Sequence, residues 1–169
     1  MSTTIALAFT FEEMLAAQHV ELGRWQEWFA QQPDTLLDLR VDIAKAEDLR
    51  SALFHIFLVE LSFAEALNEM RDPNASRADL LALPHATFDD LFAIHQRAFS
   101  LLKQWAERAT PEDAAKLFVR GELRVSRKKC FIQVMEHTLR HFAQLSVALR
   151  KAGHPTDWMH DFIFNPSMS

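Results

Sequence analysis

The chain has 169 residues, 49% of them hydrophobic and 24% charged, which suits one well-buried soluble domain and is too short for two ordinary ones. A formal net charge of −5, with one short basic cluster at Arg124 to Lys129, gives no electrostatic footprint for nucleic acid. The single cysteine, Cys130, excludes an intramolecular disulfide and suits a reducing compartment, and no apolar run approaches the roughly 20 residues that cross a bilayer.

The N-terminal "TTIALAF" is too short an apolar run for a secretory leader and lacks the basic flank. These features predict one domain over residues 1–169, cytoplasmic, with no nucleic-acid and no membrane partner. Three glycines and six prolines are few breakers, so long helices are favoured over a many-stranded sheet.

Apolar spacing predicts the first helix from about Phe11 to Gln31, with Phe11, Leu15, Leu22, Trp25 and Phe29 on one side, closed by Pro33 and Asp34. The short connection from Pro33 to Asp42 makes the next helix its antiparallel neighbour. That second helix is read from about Ile43 to Met70 and stops at Asp72-Pro73-Asn74. The following connection, Arg71 to Ala86, could span roughly 50 Å if extended, against roughly 33 Å for a helix of about 22 residues. A crossover to the other end of the molecule is therefore within its reach.

The third helix is expected from about Thr87 to Arg108, with Phe88, Leu91, Phe92, Phe99 and Leu102 as its stripe. Next, "KLFVRGELRVS" alternates apolar and polar residues around Arg120-Gly121-Glu122, the pattern of a small β-hairpin. The fourth helix is read from about Ser126 to Ala152, where "AGHP" places a glycine and then a proline past the last turn. Together these predict an all-α four-helix bundle with a hairpin before the last helix. The tail "WMHDFIF" is apolar enough to dock on it. Trp25 and Trp28 point to different sides of the first helix, which leaves aromatic surface for a symmetric homodimer.

The segment "HTLRHFAQL" carries the chemistry. His137 and His141 are one turn apart on a helix face, the spacing at which two imidazoles address one metal ion. Gln133 and Gln144 fall on the same strip. A catalytic ion needs a third protein ligand, and periodicity offers two: His55 on the second helix, flanked by Ala52, Val59, Ser62 and Ala66, and His95 in the stripe of the third. His55 could instead be a single core histidine bonded to a backbone carbonyl or serine, and His137 and His141 two interior polar groups bonded to each other or to solvent. His19 is at the edge of the first stripe; His85, His154 and His160 are expected in solvent-facing loops or the tail. Cys130 lies two turns before His137, about 10.5 Å away along the helix, and is read as a small buried apolar residue.

The histidine in "LFHIFLVELSFAEAL", then "HTLRHFAQL", then "LRKAGHPTDWMHDFIF" resembles the pattern of the DinB/YfiT-like metal-dependent proteins, from about residue 10 to 164. That family's last helix carries H-x-x-x-H followed by x-x-Q-L, matched by His137, His141, Gln144 and Leu145. The resemblance implies an up-down-down-up bundle, a metal site of His55, His137 and His141, zinc or nickel as the ion, and frequent homodimers. It also implies metal-dependent chemistry that includes S-transfer with low-molecular-weight thiols. His95, Gln133, Gln144 and Ser62 become candidates for the pocket or for orienting the ligands. Ala143 and Phe142 depart from the glycine and the His or Arg common there, and leave the ligands intact.

Three imidazoles with a fourth position open to exchange form a catalytic arrangement. A thiol S-transferase is the leading expectation, with a metal-dependent hydrolase or a metal-binding or ligand-binding module without turnover as alternatives. No carboxylate is placed as a general base, since Glu60 and Glu136 each lie more than a quarter turn from their histidine's face. This weighs against hydrolysis more than against thiol transfer. A role on DNA is opposed by the acidic charge.

Overall fold

Each long helix begins where a short polar side chain can take up the free N–H groups of a first turn. In the computed structural model, which describes residues 10–72 and 85–168, Thr10 caps α1 (Phe11–Phe29), Asp48 caps α2 (Leu49–Leu67) and Thr87 caps α3 (Phe88–Arg108). In all three a side chain three residues on returns the bond to the capping residue's own N–H. A single turn, α4 (Pro111–Ala115), starts on Thr110 with proline in its first turn, and Ser126 caps α5 (Arg127–Lys151). The end of α5 is a Schellman motif: Gly153, at φ 89°, donates to the Arg150 carbonyl, and His154 donates to that of Leu149.

The hairpin expected before the last helix is present. Strands β1 (Arg40–Ile43) and β2 (Ala46–Asp48) form another hairpin earlier in the chain, and β3 (Leu117–Arg120) pairs with β4 (Leu123–Ser126) in the predicted place. The earlier one corrects the reading of the second helix from Ile43. Its turn is Ala44-Lys45, at φ 52° and 67°, where the usual signature would be Asn-Gly. The apolar residues Val41 and Ile43 alternate inward as strand positions, and the helix starts six residues later, at the Asp48 cap.

Side-chain pairs give the helix directions. Arg50 near the start of α2 donates to the carbonyl of Ala86 just before α3, and Asn68 past the end of α2 donates to that of Leu101, so α2 and α3 run parallel. Phe29 stacks on Phe88 and Phe11 packs at a tilt against Trp105, so α1 opposes α3. Phe11 also meets Phe131, and Trp25 meets Phe142, so α1 and α5 are parallel. The bundle is up-down-down-up. The long connection that a parallel α2 and α3 require falls mostly on residues 73–84, outside the described residues.

Trp25, Phe29, Phe57, Phe92, Trp105 and Phe131 fill the centre, each essentially without solvent contact. Trp28 is half-buried and packs edge-on against Trp25. Among the described residues no helix is long and apolar enough to cross a membrane. The tail docks on α1, and polar groups hold it there: Asn165 donates to the Ala17 carbonyl at 2.7 Å, and Trp158 and His160 both reach Glu21.

One polar network lies inside the apolar core. Glu60 of α2, 1% exposed, accepts from Gln18 Nε2 of α1 at 3.0 Å, from Thr138 Oγ1 of α5 at 2.6 Å and from His95 Nδ1 of α3 at 2.7 Å. A buried carboxyl is tolerated only with its oxygens engaged. Glu60→Ala would strand three buried donors and leave a void, and is expected to cost about 3–5 kcal/mol. Thr138→Val removes one donor and should cost about 1–3 kcal/mol. Urea unfolding followed by circular dichroism measures both, and equal, negligible losses would contradict a role for the network in stability.

Candidate metal centre

His55 sits in the second turn of α2, and His137 and His141 project from consecutive turns of α5. One donor nitrogen from each lies within 4.8 Å of the other two, with ring centroids 5.2 Å (His55 to His137), 5.5 Å (His55 to His141) and 4.4 Å (His137 to His141) apart. Small ring rotations bring such a set to ligand distances of about 2.0–2.1 Å from a shared ion. Among the described residues no other group of three His, Cys, Asp or Glu side chains comes together in this way.

The electrostatics suit a cation. Burial first, then His141, holds His55 below the ordinary imidazole value. His137 is pushed down to about 4, by burial and then by the charges of His141, His55 and Arg140. Both are therefore neutral near pH 7, which is the ligating form. His141 donates from Nδ1 to Gln144 Oε1 at 2.7 Å, and that tautomer leaves the Nε2 lone pair free. His137 Nδ1 is buried with no partner. A partnerless, neutral imidazole beside two others is a fitting donor set for a divalent ion.

The remaining candidates are elsewhere. His95 is in the core among Phe57, Phe92 and Phe99, bonded to Glu60, and is outside the three-histidine group. The Ser62 hydroxyl donates to the Leu58 carbonyl one turn back in its own helix at 2.7 Å, and Gln133 lies on an exposed part of α5. Glu60 has its oxygens engaged in the core and Glu136 is exposed. Cys130 is buried, with its thiol raised to about 11, chiefly by desolvation, so it is not a ready nucleophile.

Sequence reasoning missed what surrounds the bundle's buried acids. Glu21 of α1 accepts from Trp25, Trp158 and His160, so His160 is a bonded, half-buried residue and not a solvent-facing one. The available signal was position: Gln18, Glu21 and Glu60 each interrupt an otherwise apolar stripe. It also missed a shallow groove between β1 and α5, lined by Arg40, Asp42, Arg140, Gln144 and Lys151, which reaches the site through Gln144.

Depressed histidine values have a signed consequence for the metal-free protein. Below pH 6.5 the unfolded chain takes up protons that folded His55 and His137 refuse, His137 until about pH 4. Stability is therefore expected to fall with acidification from pH 7 towards 5, by at most about 1.4 kcal/mol per pH unit for each histidine. His137→Asn should flatten that slope in urea titrations of the chelator-treated protein; an unchanged slope would contradict the buried, neutral state of His137.

Comparison with known proteins agrees with this architecture. A crystal structure of a DinB-like protein from Bacillus subtilis is similar in fold, with a TM-score of 0.62 and 16% identity, covering 89% of this chain and 96% of that one. No curated protein matches the chain. A sequence profile of the DinB family matches residues 1–167, nearly the whole length. On that match the chain belongs to the DinB family.

Proposed function

We propose that the protein is a metal-dependent enzyme of the thiol S-transferase type, holding one divalent ion, zinc or nickel, through His55, His137 and His141. The observation that carries this reading is the cluster itself: three imidazoles with their donor nitrogens within 4.8 Å and no carboxylate among them. A divalent ion held there supplies Lewis acidity, which lowers the pKa of a thiol at its open position.

The chain's own residues set the rest. Gln144 keeps His141 in the tautomer whose Nε2 can ligate, and its amide lines the groove beside β1. Arg40, Arg140 and Lys151 line that groove against a single acid, Asp42, and attract an anionic co-substrate. The positive rim also steadies the thiolate form. Hydrolysis would need a base to take a proton from water, and the three-histidine group includes no carboxylate, so thiol transfer fits the site better.

Metal content of protein purified without an affinity tag tests the ligand set. Alanine at His55, His137 or His141 should lower bound zinc or nickel by about tenfold or more. His95→Ala should leave the content unchanged while lowering stability; the reverse pattern would reject the assignment. In cobalt-substituted protein a millimolar low-molecular-weight thiol should add a sulfur-to-cobalt absorption band, and turnover of an electrophile should require that thiol. Metal retained with no band and no turnover would leave a binding module, and turnover with water alone would mark a hydrolase.

A further inference from the structure

A cavity of about 440 Å³ lies between α1, α5 and the docked tail. Its walls on α5 include Met135, Leu139, Phe142 and Ser146, while His137 and His141 project from the other side of the same helix. It is thus distinct from the metal centre. The volume is that of a small-molecule site.

Its polar groups have one character. Glu21, 8% exposed, has Oε1 filled by Trp25, Trp158 and His160, but its Oε2 makes no hydrogen bond, the nearest cation being Arg24 at 3.9 Å. Gln18, 3% exposed, lines the same cavity and directs Nε2 to Glu60, which leaves its Oε1 buried without a partner. The His160 ring has both nitrogens engaged, by Glu21 and Thr156. Asp161 adds a second acid, and among the described lining residues there is no lysine or arginine. Gln18 Oε1 is therefore a buried acceptor without a donor, and Glu21 Oε2 has only the long Arg24 contact, in a chamber of apolar walls lined by two acids. A group that cannot be satisfied from within calls for a ligand that supplies what is missing.

We propose that this cavity is a second binding site, for an apolar organic amine whose ammonium N–H groups meet Glu21 Oε2 and Gln18 Oε1 while its hydrocarbon body lies against Met135, Leu139 and Phe142. An anion of equal size meets two acids, and a neutral alcohol supplies one donor where two acceptors wait. The site needs no metal.

Calorimetric titration of the metal-loaded full chain with phenylbutylamine, phenylbutanol and phenylbutanoate tests this. The amine should bind about tenfold or more tighter than the alcohol, with the carboxylate weaker than both. Glu21→Gln should erase the preference for the amine and leave alcohol binding in place. Because Glu21 also anchors the tail, Ser146→Trp gives an independent arm: it fills the cavity from α5 without touching that anchor, and should abolish binding of both ligands at an unchanged melting temperature. His137→Ala should leave amine binding intact, which separates this cavity from nitrogen ligation at the metal. An amine bound no tighter than the alcohol, undiminished binding in Ser146→Trp, or loss of binding in His137→Ala would each overturn the proposal.

Discussion

The architecture turns on one buried carboxyl. Glu60 of α2 accepts hydrogen bonds from α1, α3 and α5, so a single side chain joins all four long helices. Carbon-to-carbon packing is nearly indifferent to a slide of one helix along another, because one apolar surface replaces a similar one. A buried acceptor is not indifferent, since a slide of a single turn would leave it and its donors unpaired. The network therefore sets helix register. Thr138 lies between His137 and His141 in the chain, and Glu60 lies five residues beyond His55. In antiparallel helices, joining Glu60 to Thr138 carries His55 to the pair on α5, so the same contact that orders the core assembles the three-histidine cluster.

The ends of the bundle are finished in a way that serves the site. The β1–β2 hairpin takes the place of a continued helix, and so brings Arg40 and Asp42 beside the last turns of α5. The Schellman motif stops α5 at its final basic side chain, leaving Lys151 on the groove. At the other end, Arg127 bridges Asp113 of α4 and Glu69 past α2, and Trp105 also donates to Asp113. These contacts lock the ends between which the histidines are held.

Helix α5 consequently presents two opposed chemical environments. One side carries the histidine pair, with the charge of His137 suppressed by burial and by its histidine neighbours, next to a cationic groove. The other faces a chamber of apolar walls with an unfilled acceptor, bordered by a tail that Glu21 holds in place. The first suits a cation ligated by neutral nitrogen and an anionic partner beside it. The second suits a cation bound by oxygen. A helix supports both because side chains half a turn apart share a backbone without sharing surroundings.

Local signals were enough for the four helices, the later hairpin and the His137/His141 pair. Capping residues, glycine at a helix end and apolar spacing act within a few residues, and an i,i+4 pair is neighbouring in any helix. The first hairpin was not legible, because Ala44-Lys45 takes a left-handed turn without the residues that advertise one. Between His55 and His95, spacing alone was silent: both sit on inward faces, and which of them meets α5 depends on helix register. That register follows from where Gln18, His95 and Thr138 find Glu60, a contact spanning 78 residues at its longest. The same holds for Glu21 and His160, 139 residues apart, where an acid in an apolar stripe hinted at burial but named no partner. Sequence by itself thus determined the elements and their inward faces; tertiary structure decided which buried polar groups meet, because pairing energies between distant groups exist only once the helices have packed.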